Sequence, residues 1–373
     1  MTKSSISLRV TGLMIGLGTG CSSLLCYLAN RMITPPKRPD YRRDKIVEVN
    51  KDNVILKATA DTIRPGIYEL NFLGGTAIVG DVVEMHDDLV VRKILEVPSG
   101  KLKRGGAAFG GVYGGDPKSR LGLDYEEIEL ATEVGNMPAW VIMSQAASSS
   151  LKPSWAILIH GWGQERAYCL QYVPMLTSLG INCLILSYRN DRGAPQSQDG
   201  KYRLGLEEWR EVDAAVQHIA DRGGEQIFLY GFSMGGQIVI QAMKRSSLAG
   251  QYVKALVLDG PVLDWQRVIY ALAKRSHLPK FSAKMTMKVL KIKKSISFKD
   301  LNAVDNDIGF SGPILILHGL DDTVVPFSVS ESFVKKYPNA KLCAFKEGGH
   351  MLLMNSNQDV YCREVETFLR NFL

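Results

Sequence analysis

Cysteine is sparse in this chain, with six in 373 residues. No two of them stand in C-x-x-C spacing, so the usual zinc and iron–sulfur motifs are excluded. A disulfide framework would be unusual around so large a core. Cys183 and Cys343 fall inside apolar runs, where a thiol acts as a small buried hydrophobe; this favours reduced thiols and a body facing the cytosol. Nucleic-acid motifs are absent, and the net charge of +7 is modest for the length. The basic excess therefore fits an anionic membrane surface better than nucleic acid, and fits a plain solvated basic surface equally. The paired glycines Gly105-Gly106, Gly110-Gly111 and Gly114-Gly115 lack phosphate-loop spacing and the lysine such a loop needs. They read as a flexible connector.

One stretch lacks charge altogether. Val10 to Asn30 is uncharged and carries Leu13, Met14, Ile15, Leu17, Leu24, Leu25 and Leu28. Its 21 residues, at ~1.5 Å rise each, would cross a hydrocarbon core of roughly 30 Å. No A-x-A site precedes Pro35, and the residue three before Cys21 is Gly18 rather than a leucine-like one. An uncleaved anchor therefore ranks ahead of a lipoprotein signal and of a cleaved one. Lys3 and Arg9 precede the run, whereas Arg31, Lys37, Arg38, Arg42, Arg43 and Lys45 follow it. The positive-inside rule then puts the body on the cytoplasmic side of a single-pass membrane protein.

The chain divides into an anchor or signal segment over 1–33, a linker and β-rich domain over 34–120, and a catalytic domain over 121–373. Pro35, Pro36 and Pro39 mark the linker. Short β-branched runs follow at 45–49, 54–58, 66–72, 76–83 and 89–97, separated by turn pairs such as Pro65-Gly66 and Gly74-Gly75. They predict a small, mostly antiparallel domain or sheet extension. Two more strands are expected at 125–131 and 137–143. From Trp155 onward, Ile-, Leu- and Val-rich runs alternate with helix-like stretches at 167–179, 206–221, 234–246 and 329–336. A final helix is expected near 358–372. Doubly apolar strands with intervening helices predict an α/β fold, a mostly parallel sheet covered on both faces.

Chemistry concentrates at Tyr230-Gly231-Phe232-Ser233-Met234-Gly235-Gly236, between an apolar run and a helix-forming segment. Gly231 and Gly235 flank Ser233 in G-x-S-x-G spacing, which a strained strand-to-helix turn requires. Such a turn lifts the hydroxyl clear of the sheet and aims the Met234 amide at the reacting centre. A serine hydroxyl needs a base, and the base needs an orienting acid. Of the six histidines, His350 alone sits in a Gly-Gly-His loop after the last strand and before the last helix. The acid is sought in His318-Gly319-Leu320-Asp321-Asp322-Thr323-Val324-Val325-Pro326, where either aspartate could reach the same sheet edge. Asp259, after an earlier strand, is a third candidate.

These motifs, G-x-S-x-G, H-G-x-x-D-x-x-V-P and G-G-H in that order, resemble the α/β-hydrolase superfamily over about residues 125–373. The resemblance implies Ser233 as nucleophile, His350 as base and Asp322 as acid. It implies the Trp162 amide, in His160-Gly161-Trp162-Gly163, as the oxyanion donor beside Met234. This is the single-glycine H-G-x form, not the H-G-G-G run of some esterases, and relatives with it include aminopeptidase-like enzymes. The resemblance also makes the insertion at about 262–311 a lid; it carries interleaved lysines and apolar residues that could rest on an anionic membrane or meet acidic substrates. The expectation is a membrane-anchored serine hydrolase, ester-cleaving first and peptidase or acyltransferase second, acting on a small acyl substrate with no metal or organic cofactor. A silent hydrolase-fold binding protein is the rival. Arg189 reads as a structural ion pair rather than a ligand for a substrate carboxylate.

Overall fold

A computed structural model describes residues 25–37, 41–111, 114–147 and 153–373. The β-rich segment is a closed antiparallel barrel in the order β1-β2-β5-β4-β3-β6. Its strands are β1 (Asp44–Val49), β2 (Asn53–Lys57), β3 (Tyr68–Phe72), β4 (Gly75–His86), β5 (Leu89–Ser99) and β6 (Gly105–Gly110). Alternation along β1 and β2 turns Ile46, Val54 and Leu56 inward, where they meet Tyr68, Leu70, Val79, Val90 and Phe109. Closure removes the exposed strand edges that a sheet of this size would otherwise carry.

The closing strand corrects the sequence reading. Gly105–Gly110, taken for a flexible connector, is β6, paired with β1 on one side and β3 on the other. Of its glycines, Gly106 answers a steric demand rather than a need for freedom. A Cβ on Gly106 would stand 2.2 Å from the Tyr41 carbonyl oxygen, closer than any real contact, so the incoming chain can pass only over a bare backbone.

The larger domain is built on an eight-stranded sheet in the order β14-β13-β12-β11-β9-β10-β8-β7. The strands are β7 (Glu126–Thr132), β8 (Gly135–Ile142), β9 (Ser154–Ile159), β10 (Asn182–Leu186), β11 (Gln226–Phe232), β12 (Val253–Asp259), β13 (Ile314–Gly319) and β14 (Ala340–Phe345). β9 to β14 run parallel, and β8 and β7 add an antiparallel edge. β9, β10 and β13 are buried at every residue, as a sheet covered on both faces requires. Alternate residues feed two cores. Ile157, Leu229 and Leu256 face one, while Leu158, Tyr230 and Val257 face the other. Register aligns Gly231 with Ile159, Phe232 with Asp259, and Asp259 with Leu317. The carboxyl ends of four parallel strands therefore share one rim, where open α/β sheets place their ligands.

The helix expected at 167–179 divides into a 3-10 segment, Arg166–Tyr172, and an α-helix, Val173–Ser178. Pro174, which lacks a backbone N–H, sits in the first turn of the second piece. An α-helix can begin there but cannot run through it. The insertion forms two helices, Trp265–Arg275 and Lys280–Lys294. The first starts where the Asp264 side chain accepts from the amides of Gln266 and Arg267.

Of the expected N-terminal membrane helix, residues 1–24 lie outside the described residues. Residues 25–33 are helical, with Ala29 and Ile33 buried in the core of the larger domain. The Ile33 carbonyl accepts from the Tyr202 amide at 2.8 Å. Among the described residues no helix is long and apolar enough to cross a membrane.

Candidate active site

β11 is followed by Ser233, which caps the start of the helix Met234–Arg245 with φ 52° and ψ −112°. A non-glycine residue rarely takes that conformation, and the surrounding chain enforces it. The Ser233 amide donates to the Asp259 carbonyl at 2.9 Å, while the Ser233 carbonyl accepts from Gly236 and Val262. A Cβ on Gly231 would stand 2.7 Å from the Gly235 carbonyl oxygen, and one on Gly235 would stand 2.0 Å from that of Ile159. Both flanking glycines are thus dictated by backbone against backbone.

His350 lies in the loop between β14 and the last helix, Gln358–Leu369. Its Nε2 is 2.9 Å from Ser233 Oγ, and its Nδ1 is 2.7 Å from Asp322 Oδ2. A carboxylate can only accept, so Nδ1 carries the proton and Nε2 is left to accept from the serine hydroxyl. Asp322 has its other oxygen bound by the amides of Val324 and Val325 at 2.7 and 2.9 Å. Burial alone would raise the Asp322 pKa, but the charges and hydrogen bonds of His350 and His318 win and hold it well below the usual carboxylate range. Burial would equally lower the pKa of His350; Asp322 outweighs it, so the imidazole titrates above an ordinary histidine. Gly260, at φ 51°, passes directly beside this pair, with its Cβ position 3.5 Å from His350 Nδ1.

The two other aspartates go elsewhere. Asp321 faces outward, where Oδ2 accepts from Arg64 Nη1 at 2.5 Å and Oδ1 from the Gly349 amide at 2.8 Å. Asp259 is fully buried at the end of β12 and accepts from the Tyr361 hydroxyl at 2.8 Å. Burial pushes its pKa up to about 7.

Gly161 places the His160–Gly163 turn against the elbow, its Cβ position 3.2 Å from the Phe232 carbonyl oxygen. The indole N–H of Trp162 donates to the Met32 carbonyl at 2.8 Å, so the ring is engaged by the N-terminal helix. Met234 is the first residue of its helix, and the first amides of any helix have no partner within it. Arg189 pairs with Glu133 and Glu211, both at 2.7 Å, with its side chain almost fully enclosed. It is a structural ion pair. Arg64 was not read from sequence as a site residue. It lies 257 positions from Asp321, and no local motif marks it.

The fold and the elbow define an α/β-hydrolase-superfamily protein. Residues 169–373, more than half of the chain, match the prolyl oligopeptidase family, and the chain belongs to it. Residues 45–110, the barrel, match a domain of unknown function, DUF8805. The uncharacterized protein YfhR of Escherichia coli is 24% identical over 269 residues, covering 70% of this chain and 84% of YfhR. The human alpha/beta hydrolase domain-containing protein 17C is 26% identical over 175 residues, 46% of this chain and 45% of that protein. Among solved structures, the Pyrococcus furiosus esterase PF2001 superposes with a TM-score of 0.56 at 19% identity, covering 69% of this chain and 94% of the esterase. That likeness establishes the shared fold.

Proposed function

We propose that this chain is a serine hydrolase that cleaves an ester, thioester or amide through an acyl-enzyme. One observation carries the reading: Ser233 Oγ, the His350 ring and the Asp322 carboxylate stand in one line of hydrogen bonds, 2.9 and 2.7 Å long. In the first half-reaction Ser233 Oγ bonds to the substrate carbonyl carbon as its proton passes to His350 Nε2. The amides of Trp162 and Met234 take the oxyanion. Collapse breaks the bond to the leaving alcohol, thiol or amine, which receives the proton from Nε2. Water then repeats the sequence and frees the acid, while Asp322 stays ionised and holds the imidazolium. Ester substrates are the first choice, because the solved structure described above is an esterase. Peptide-like amides are the second, on the strength of the family match. Labelling with a fluorophosphonate tests the core of the proposal. Wild type is expected to label and Ser233→Ala not to; equal labelling of the two sinks it. A panel of acyl esters and aminoacyl amides then separates the two substrate classes.

The same enzyme is proposed to be anchored through its N-terminal segment, with its body on the cytoplasmic side. The uncharged run Val10 to Asn30 overlaps the packed helix at 25–33, whose Cys26 lies 3.4 Å from the Lys293 ammonium of the insertion, so the anchoring stretch is the part before residue 25. There Phe281, Met285 and Ile292 are exposed among Lys284, Lys288 and Lys291, a pattern suited to an anionic lipid surface. Deleting residues 1–24 spares the packed helix and is expected to move the protein from the membrane to the soluble fraction. Full-length protein found in the soluble fraction would end the anchoring proposal.

A further inference from the structure

The barrel touches the larger domain at the loop that bears His350. Arg64, in the turn between β2 and β3, donates from Nε to Asp61 Oδ1 at 3.3 Å and from Nη1 to Asp321 Oδ2 at 2.5 Å. The other Asp321 oxygen accepts the Gly349 amide at 2.8 Å. Asp321 precedes Asp322 in the chain, and Gly349 precedes His350. One barrel side chain thus reaches, through a single carboxylate, the segment of the proposed acid and the segment of the proposed base. The guanidinium also lies against the loop backbone, where a Cβ on Gly349, at φ 54°, would be 2.8 Å from Nη2.

Arg64 is itself held in place. Arg92, buried inside the barrel, donates to the carbonyls of Thr62, Arg64 and Gly66 at 3.0, 2.7 and 2.7 Å. Its guanidinium lies over the rings of Tyr68 and Phe109. Beyond His350 the contact continues. Tyr68 Oη and Ser356 Oγ are 2.7 Å apart, the Asn355 amide group donates to the Ile67 carbonyl at 2.9 Å, and Leu352 is buried in the barrel core. Charge-assisted hydrogen bonds of this kind fix geometry as well as holding surfaces together.

We propose that Arg64 is a positioning residue: the barrel is a buttress that, through the Arg64–Asp321–Gly349 chain, sets the His350 ring against Ser233 and neutralises the acidic cluster beside it. This rests on the hydrolase reading. The titratable and charged groups around the ring are Asp322 and His318 from the β13 side, Asp259 from β12, and Asp61, Arg64 and Asp321 at the barrel contact. Removing Arg64 takes the guanidinium from Asp321, whereas Asp61 keeps Arg43 at 3.0 Å. The Asp321 charge then favours the imidazolium, and the acid limb of the rate profile moves to higher pH. Asp321→Asn keeps an acceptor for the Gly349 amide but deletes a negative charge, so its limb moves the other way. A role in stability alone would move neither limb.

The test uses the full-length protein, with fluorophosphonate inactivation rates and kcat/KM on a short-chain p-nitrophenyl ester measured from about pH 5 to 9. Thermal midpoints are measured in parallel. Arg64→Ala is expected to lower kcat/KM about ten- to a hundredfold, chiefly through kcat, as misplacement of a catalytic group does. Arg64→Lys should restore part of the loss. Wild-type rates and an unmoved profile in Arg64→Ala overturn the inference. Should Arg64→Ala fail to fold, unmoved profiles in both Arg64→Lys and Asp321→Asn overturn it instead. A wild-type protein that neither labels nor turns over substrate sinks the hydrolase reading, and the buttress goes with it.

Discussion

In the eight-stranded sheet, β9, β10 and β13 are buried along their whole length. In the barrel, β5 is half-covered at its start and exposed over its last residues, and β1 alternates. The two regions handle apolar faces and strand edges by opposite means. The sheet covers both faces with helices, so its strands must be apolar throughout. The barrel curls one face onto itself, so it needs only alternate apolar residues and a small core. A strained turn such as Ser233 can persist where the surrounding backbone over-determines it, and the parallel sheet supplies that. The barrel supplies Arg64, which reaches the histidine loop through Asp321.

Three tests sharpen or break this contrast. If chemistry belongs to the rim of the sheet, Asp322→Asn should lower kcat/KM by about 10³- to 10⁴-fold. Asp259→Asn, on the neighbouring strand, should then change it less than about threefold, being more than a hydrogen bond away from the ring. Comparable losses in the two would move the acid to β12.

The second test places one methyl group in each region. A Cβ at Gly235 meets the Ile159 carbonyl at 2.0 Å, and one at Gly106 meets the Tyr41 carbonyl at 2.2 Å. Ile159 ends β9, a strand paired on both sides, whereas Tyr41 precedes β1 and lies outside any strand. Gly235→Ala is expected to cost about 3 kcal/mol or more and to abolish labelling, and Gly106→Ala to cost about 1 kcal/mol. Denaturant titrations read both, and equal costs would mean that the barrel is as unyielding as the sheet.

The smallest effect concerns Asp259. Its folded pKa, about 7, lies above an unfolded value of about 4. The native state therefore binds the extra proton, and its contribution to stability is lost as pH rises from about 4 to about 7. Asp259→Asn removes that loss and can still accept from Tyr361. The variant is expected to melt about 2–4 °C above wild type at pH 8 and no higher at pH 4. A constant difference across pH would show that Asp259 is not the titrating group.

Much of this molecule could be read before any folding was seen. Period and composition locate the strands of the main sheet to within a residue or two, because a strand buried on both faces leaves an uninterrupted apolar run. The G-x-S-x-G spacing is legible because two carbonyl oxygens crowd Gly231 and Gly235, and only glycine meets that demand. β6 was not legible. Its glycines carry no side-chain alternation, and the reason for Gly106 is a carbonyl some 65 positions upstream at Tyr41. Nor does local sequence divide the labour between Asp321 and Asp322, since adjacent residues on one loop look alike until their partners are known.

Sequence alone therefore determined the α/β class, the serine turn and the order of the three motif segments. Each is a local matter of period, backbone sterics or spacing. Tertiary structure decided that the small domain closes into a barrel, that Asp322 turns inward while Asp321 turns out, and that Arg64 reaches the loop of His350. Those outcomes rest on contacts between residues from 28 positions apart (Asp322 and His350) to 257 (Arg64 and Asp321), and charge, burial and hydrogen-bond partners at such contacts exist only once the chain has folded.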